Sequence, residues 1–265
     1  MDILWITDPH LDHLTASART QWFDRLESFE GSGILLTGDI GESDTVFGFL
    51  DEISKRHHSI WFVLGNHDYY GSTISSMRCR VEAFAAEHET LHYLHSAEPI
   101  YYDHDSVLIG VDGWSDGRAG DFLSSNIMLN DYRRIGELSG LESNARLARL
   151  QALGAVEADT LRRTLAKLSG TPIRQVRIAT HVPPFPEACW YQGSNEINEW
   201  TPHFTCVAVG KEILRFAHAH PTTQVDVLCG HAHNEGSVTL APNLRVETGR
   251  AVYGDWTPHR ILTWT

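Results

Sequence analysis

Five short polar clusters lie along the chain between residues 8 and 233, and each is rich in aspartate, asparagine or histidine. In chain order they read D-x-H, G-D, G-N-H-D, a single H and G-H-x-H. Their polar members are Asp8, His10, Asp39, Asn66, His67, Asp68, His181, His231 and His233. Carboxylate, imidazole and amide groups bind divalent metal ions, and imidazoles and carboxylates also transfer protons in catalysis. These residue types indicate a metal site.

The spacing within the clusters allows two ligands to reach one ion. In "DPH" (8–10) and "HAH" (231–233), side chains two positions apart lie on the same side of an extended segment. A donor set of oxygen and imidazole nitrogen without thiolate suits Mn²⁺, Fe²⁺ or Zn²⁺. Seven ligands are available, namely Asp8, His10, Asp39, Asn66, His181, His231 and His233. One tetrahedral site needs about four ligands, so seven ligands fit two ions that share a bridging carboxylate. Two-metal sites of this kind catalyse displacement reactions at phosphorus.

The elements that position these clusters follow from hydrophobic patterning. Short apolar segments predict strands at 2–7, 33–36, 59–64, 176–180 and 225–230, each just before a cluster, with more strands near 237–248 and 260–264. Amphipathic spacing predicts helices over 17–30, 44–57 (with Asp44 as N-cap), 72–88, 140–169 and 209–219. A hairpin is predicted around 103–105. This alternation predicts parallel βαβ units whose carboxyl ends gather the clusters in one cleft.

Glycine begins three of the clusters, at Gly38, Gly65 and Gly230. Because glycine adopts backbone angles that other residues avoid, it can turn a strand end sharply and expose the next side chain. Residues 112–134 are rich in Gly, Ser, Asp and Asn and show no period, so we expect a functional or mobile loop that contacts substrate. We expect a single domain over residues 1–265, because the clusters serve one site only if they fold together.

Composition excludes several classes of protein. The net charge of −13 disfavours nucleic-acid binding unless positive charge is concentrated locally. No run approaches the roughly 18 apolar residues of a membrane helix, and the first ten residues lack a basic, cleavable leader. We therefore expect a cytoplasmic protein that does not associate with membranes. The four cysteines form no C-x-x-C pair, which argues against a zinc knuckle or a redox motif.

The order of the five motifs resembles the calcineurin-like metallophosphoesterase superfamily, and the resemblance covers residues 8–233. "GD" alone is not specific, whereas "GNHD" and "GHAH" are each moderately so. The resemblance implies an α/β fold, a four-layer αββα sandwich of two mixed β-sheets flanked by helices. It also implies two divalent metal ions, for which Mn²⁺ is our first choice and Fe or Zn the alternatives.

The same resemblance implies a role for each matching residue. Asp8, His10 and His233 would bind the first ion, Asn66, His181 and His231 the second, and Asp39 would bridge both. The nucleophile would be a hydroxide shared by the ions, with its pKa lowered by them. His67 would be the catalytic residue that stabilises charge on the phosphoryl group or protonates the leaving oxygen.

Several nearby residues keep two interpretations. Asp68 would either orient His67 or cap the next turn, and Asp12 and His13 would either support the metal ligands or face solvent. An aromatic group beyond His181 would either form a lip for a nucleotide base or pack under its loop. Its members are Trp190, Tyr191, Trp200 and His203, and packing is favoured. Arg118 is a weak candidate for substrate binding.

We therefore expect a binuclear-metal phosphohydrolase that acts on a small phosphomonoester or phosphodiester. There are two alternatives, a nuclease and a catalytically silent metal-dependent scaffold. For a nuclease, nucleic acid would be only the substrate, and the segment 133–177, which is rich in basic residues, would have to face the cleft. Nothing in the chain identifies the peptide groove that a protein serine/threonine phosphatase would need. The H-x-H-x-D-H pattern of metallo-β-lactamases is absent. The sequence does not identify the substrate or the oligomeric state.

Overall fold

The computed structural model describes residues 2–57, 59–95, 97–168, 170, 172–254 and 260–263. Its strands are β1 (Asp2–Ile6), β2 (Gly33–Thr37), β3 (Ile60–Val63), β4 (Leu91–Tyr93), β5 (Ile100–Tyr101), β6 (Ser106–Gly110), β7 (Gln175–Ala179), β8 (Gln224–Cys229), β9 (Gly236–Ala241), β10 (Leu244–Thr248) and β11 (Arg260–Thr263). Its α-helices are α1 (Ala16–Glu27), α2 (Thr45–Ser54), α3 (Ile74–Ala86), α4 (Asp131–Arg134), α5 (Ser143–Ala166), α6 (Thr201–Phe204) and α7 (Val207–Ala219). Short 3₁₀ turns occur at Leu11–His13, His67–Tyr69 and Pro186–Ala188.

The strands form two mixed sheets. The first has the order β11-β1-β2-β3-β4, in which β1 to β4 run parallel and β11 pairs antiparallel with β1. The second has the order β5-β6-β7-β8-β10-β9, with a parallel centre and antiparallel strands at both edges. The parallel centres place the carboxyl ends of β1, β2, β3, β7 and β8 where the five clusters begin.

Alternation along the strands divides the core into three apolar layers. In β1, Leu4 and Ile6 pack with helices α1, α2 and α3, whereas Ile3 and Trp5 point to the opposite face and pack between the sheets. On the far side, the second sheet packs against α5 and α7. Helices therefore cover both outer faces of two stacked sheets, which confirms the predicted four-layer αββα sandwich.

The predicted elements are found with small shifts at their ends, and β4 is the strand that the sequence did not predict. Asp44 precedes α2 as predicted, but its side chain makes no capping hydrogen bond and instead pairs with Arg80 at 2.6 Å. Ser169 and Trp264, at the ends of the predicted 140–169 helix and 260–264 strand, lie outside the described residues. The single domain over 1–265 also includes such residues and stays a prediction. Among the described residues, no helix is long and apolar enough to cross a membrane.

The segment 112–134 is largely irregular, as predicted, but it is anchored by packing. Trp114, Phe122 and Tyr132 are buried in the core beside the first sheet. Asp112 is fully buried and accepts hydrogen bonds from the Leu64 amide at 2.9 Å and from the Tyr69 hydroxyl at 2.6 Å.

Asp112 also accepts hydrogen bonds from the Tyr93 hydroxyl at 2.6 Å and from Arg78 Nε at 2.9 Å. The Arg78 guanidinium reaches Glu157 on α5 at 2.7 Å. This buried network ties α3, α5 and the segment after β6 to the loop that follows β3.

Replacing Asp112 by alanine leaves four donors without this acceptor, and the Arg78 guanidinium loses one of its two acidic partners while keeping Glu157. We expect the Asp112→Ala variant to lose about 3–5 kcal/mol of unfolding free energy, measured by urea denaturation. Asp121→Ala is the control, because Asp121 is exposed in the same segment and accepts hydrogen bonds from the neighbouring Ser124. Equal stability of the Asp112→Ala and Asp121→Ala proteins would contradict the structural role of this network.

Candidate metal centre

The five polar clusters meet at one edge of the sandwich, where β1, β2 and β3 of the first sheet face β7 and β8 of the second. The amide of His231 donates to Asp8 Oδ1 at 3.0 Å, and Asn66 Oδ1 lies 3.0 Å from His181 Nε2. These contacts join residues separated by 223 and 115 positions in the sequence. The predicted convergence of the clusters is therefore found.

Five of the clustered residues have positive φ angles although they are not glycine. They are Asp8 (49°), His10 (42°), Asp39 (51°), His231 (66°) and His233 (61°). The left-handed region costs a non-glycine residue roughly 1–2 kcal/mol and is concentrated at functional sites. The tight turns after the strands are therefore made by the polar residues themselves, which the sequence did not reveal.

The glycines of the clusters serve two different purposes. Gly38 has a φ of 89° and makes the turn that was predicted for all three. Gly65 and Gly230 are needed for close approach, because a β-carbon at Gly65 would overlap Asp39 and one at Gly230 would overlap Thr7 and Asp8. The expectation of unusual backbone angles is wrong for these two positions.

One group of donors lies around His10. Its Nε2 is 3.1 Å from His233 Nε2 and 3.6 Å from Asp39 Oδ2, and His233 Nε2 is 3.4 Å from Asp8 Oδ1. Asp8, His10, Asp39 and His233 each offer one donor atom, and these four atoms lie within 4.8 Å of one another. This arrangement is a candidate metal site, and all members except His233 are buried.

A second group of donors lies beside the first. Asn66 Oδ1 is 2.9 Å from His231 Nδ1, and His231 Nδ1 is 3.2 Å from His181 Nε2. His181 Nε2 is also 3.5 Å from Asp39 Oδ1. Asp39 therefore directs one carboxylate oxygen to each group.

The donor geometry fits divalent ions. Neighbouring ligands that bind one ion at roughly 2.1 Å are about 3.0–3.4 Å apart, which matches the spacing of the ring nitrogens. Burial lowers the pKa values of His10, His181 and His231, so these rings are neutral and carry a free lone pair. Burial, together with the charge of Asp8, raises the pKa of Asp39. A cation in this position would remove that penalty.

His67 stands outside both groups of donors. Its amide donates to Asp39 Oδ1 at 2.8 Å, its Nε2 lies 4.0 Å from Asp39 Oδ2, and its Nδ1 lies 3.8 Å from Glu42 Oε1. Burial, reinforced by His181, lowers the pKa of His67 to about 3, whereas Glu42 opposes that shift. Arg134 holds Glu42 through two bonds of 2.9 and 2.7 Å.

Asp68 has neither of its predicted roles. One carboxylate oxygen accepts from the amides of Ile40 and Gly41 at 2.8 and 2.9 Å, and the other accepts from the Gly65 amide at 2.7 Å. Asp68 therefore clamps the loop after β2 to the loop after β3. These loops carry Asp39 and Asn66.

The structure also bears on the interpretations of Asp12, His13 and Arg118. Asp12 accepts from Thr45 Oγ1 at 2.8 Å and from the Glu42 amide, so it holds the loop after β2. His13 is exposed, as favoured, but it also offers a nitrogen within 4.8 Å of donor atoms of His10 and His67, so its support of the metal ligands stays a prediction. Arg118 pairs with Asp116 at 2.9 Å and is not among the residues that line the cleft.

Three residues of the site were not identified from the sequence, namely Asp131, Tyr70 and Tyr253. Asp131 Oδ1 accepts from Asn66 Nδ2 at 2.8 Å and from the Tyr70 hydroxyl at 2.7 Å, which turns the amide oxygen of Asn66 toward the histidines. The Tyr253 ring lies 4.4 Å from the His10 ring, and its hydroxyl is 3.4 Å from His67 Nε2. Only the position of Asp131 in the 112–134 loop gave any signal.

A cleft of about 380 Å³ opens over the donors. It is lined by Asp39, Asn66, His67, Tyr70, Leu129, Asn130, Asp131, Tyr191, Phe204, His231, Ala232, His233 and Tyr253. The favoured interpretation, packing, is found for Trp200, whose ring lies 4.8 Å from the Tyr191 ring. Tyr191 also lines the cleft, and the lip for a nucleotide base stays a prediction. His203 is buried and bonds to Tyr132 and Ser125.

Comparison with solved structures identifies similar folds at low sequence identity. Phosphopantetheinyl hydrolase from Mycobacterium tuberculosis is 14% identical, with a TM-score of 0.71, over 95% of this chain and 89% of that chain. A dimetal phosphatase from Danio rerio is 14% identical, with a TM-score of 0.57, over 98% of this chain and 90% of that chain. The protein TT1561 from Thermus thermophilus is 14% identical, with a TM-score of 0.54, over 94% of this chain and 88% of that chain.

These likenesses establish the fold. No curated protein sequence matches the chain. The family model described as calcineurin-like phosphoesterase matches residues 1–235, which include all five polar clusters. The chain belongs to the calcineurin-like phosphoesterase family and is a metal-dependent phosphoric ester hydrolase.

Proposed function

We propose that the protein hydrolyses small phosphoesters with two divalent ions held by the two groups of donors. Asp8, His10 and His233 would hold one ion, and Asn66, His181 and His231 would hold the other. Asp39 would offer one carboxylate oxygen to each. The observation that carries this assignment is the position of Asp39, whose two oxygens lie 3.6 Å from His10 Nε2 and 3.5 Å from His181 Nε2.

Bound ions supply Lewis acidity, which polarises a phosphoryl oxygen and lowers the pKa of water. The protein supplies the remaining interactions. His67 directs Nε2 toward the open cleft, where an N–H group can donate to a phosphoryl or leaving-group oxygen. Its depressed pKa favours a neutral hydrogen-bond donor over a proton donor at neutral pH. Glu42, whose Oε1 lies 3.8 Å from Nδ1, favours the positive charge that the ring acquires if it is protonated.

The metal is proposed to be Mn²⁺, with Fe and Zn as the alternatives, because imidazole and oxygen donors without thiolate suit all three ions. A small substrate fits the net charge of −13, since a long polyanion would have to cross an acidic surface. The nuclease alternative finds no support in the cleft, whose described lining contains no lysine or arginine. We propose that the protein acts in the cytoplasm.

Hydrolysis by stripped and reloaded protein tests this function. We expect no turnover of p-nitrophenyl phosphate or bis-p-nitrophenyl phosphate after chelation, and recovery with Mn²⁺. A higher kcat/KM for the diester would identify a phosphodiesterase, and a higher value for the monoester would identify a phosphatase. Activity that survives complete removal of metal would contradict the proposal.

Asp39 and His67 should separate metal binding from catalysis. Asp39→Asn should weaken both metal sites, because the amide offers only one oxygen and no charge to the two donor groups. His67→Ala should leave metal content nearly intact and reduce kcat by about 10²–10⁴-fold. Metal content by mass spectrometry and kcat with p-nitrophenyl phosphate are the two readouts. Normal turnover by the His67→Ala protein would refute the role of that imidazole.

Asp131 should affect one metal site more than the other. In Asp131→Ala the Asn66 amide loses the acceptor that fixes its orientation, so we expect about 10–100-fold weaker binding of one of two Mn²⁺ ions. Asp131→Asn is the matched control, since its amide oxygen can still accept from Asn66 and Tyr70. Calorimetric titration with Mn²⁺ distinguishes the two variants, and equal weakening of both ions in Asp131→Ala would contradict a role through Asn66.

A further inference from the structure

The cleft has one apolar wall that begins beside the donors. The Phe204 ring meets the His231 ring nearly edge-on, with centroids 4.6 Å apart and planes at 80°. Tyr191 packs against Phe204 at 5.1 Å, and Leu129 packs against the same small apolar cluster. Leu129, Tyr191 and Phe204 all line the cleft, and we call these three residues the aromatic shelf.

The backbone and the packing hold the aromatic shelf in place before any ligand binds. Tyr191 and Ser194 exchange two backbone hydrogen bonds of 2.8 and 3.1 Å across Gln192 and Gly193. These two residues have φ angles of 52° and 79°, which is the pattern of a tight type I′ turn. Trp200 supports the rear of the Tyr191 ring at a centroid distance of 4.8 Å. A rigid surface binds a ligand without the entropic cost of becoming ordered.

The charges around the cleft define which groups can lie on the aromatic shelf. No lysine or arginine is present among the described residues that line the cleft. Arg134, near His67, is paired with Glu42 by two hydrogen bonds, and Glu42 leaves little net positive charge there. Among the described residues, the cleft lining therefore offers no lysine or arginine to a second phosphate or carboxylate, whereas an uncharged ring would not need one.

We propose that the aromatic shelf binds an uncharged aromatic group of the substrate, so that the enzyme prefers aryl phosphoesters over small alkyl esters and polyphosphates. This inference rests on the proposed function, because the phosphoryl group is placed at the metal centre. Offset or edge-to-face contacts with Tyr191 and Phe204 add to the burial of the ring. Phe204 also contacts His231, so Tyr191 is the position at which the aromatic shelf can be altered without touching a proposed metal ligand.

Phosphonates test the aromatic shelf without turnover. Methyl-, cyclohexyl- and phenylphosphonate would be titrated by calorimetry into the protein loaded with Mn²⁺. We expect phenylphosphonate to bind at least about tenfold more tightly than methylphosphonate, and more tightly than the non-planar cyclohexyl compound. Tyr191→Ala should remove this advantage and leave the affinity for methylphosphonate unchanged, while Tyr191→Phe retains it. Val156→Ala, which removes an exposed apolar side chain on α5, is the control.

The outcomes separate the two proposals. If all three phosphonates bind equally in a Mn²⁺-dependent manner, the aromatic shelf has no role and the proposed function stands. If the cyclohexyl compound binds as tightly as the phenyl compound, the assignment of an aromatic group is wrong. If no phosphonate shows Mn²⁺-dependent binding, the proposed function fails, and the assignment of the substrate group fails with it.

Discussion

The structure depends on a buried carboxylate, that of Asp39, which is only 1% exposed and lies between two groups of nitrogen and oxygen donors. Burial and the neighbouring Asp8 raise its pKa, so its ionised form requires nearby positive charge. The backbone contributes the amide of His67, which donates to it at 2.8 Å. The left-handed turn at Gly38 and Asp39 aims the carboxylate at the junction of the two sheets. A metal cation held by the neighbouring donors would supply that charge.

The rest of the fold holds the loops around that carboxylate at fixed distances. Asp68 accepts three backbone amides and joins the loop after β2 to the loop after β3. Behind it, Asp112 fixes the Leu64 amide and the Tyr69 hydroxyl on either side of the "GNHD" turn. Carboxylates that accept several well-placed donors stabilise a unique geometry, and here they are buried beneath the cleft. The proposed catalytic arrangement therefore rests on a second set of acidic residues that do not face substrate.

Much of this arrangement can be predicted from the sequence. Apolar runs that end in Asp8, Asp39, Asn66, His181 and His231 specify buried parallel strands, and the carboxyl ends of such strands converge. The four-layer sandwich follows from the family resemblance and is confirmed by the two sheets and three apolar layers. Local pattern was sufficient because each cluster follows its strand directly in the chain.

The interactions that the sequence did not reveal are those between distant segments. Asp131 acts on Asn66 across 65 positions, and Asp68 bonds to amides 28 and 27 positions away. No local pattern encodes such partners, because they depend on how two loops pack after folding. The short strand β4 was also missed, since three residues are too few to show a period of two.

Anomalous diffraction from crystals of the Mn²⁺-loaded protein tests the central claim most directly. We predict two manganese peaks about 3.5–4 Å apart, with Asp39 bound to both. One peak should contact Asp8, His10 and His233, and the other should contact Asn66, His181 and His231. A single fully occupied peak, or two peaks without Asp39 between them, would contradict the binuclear assignment.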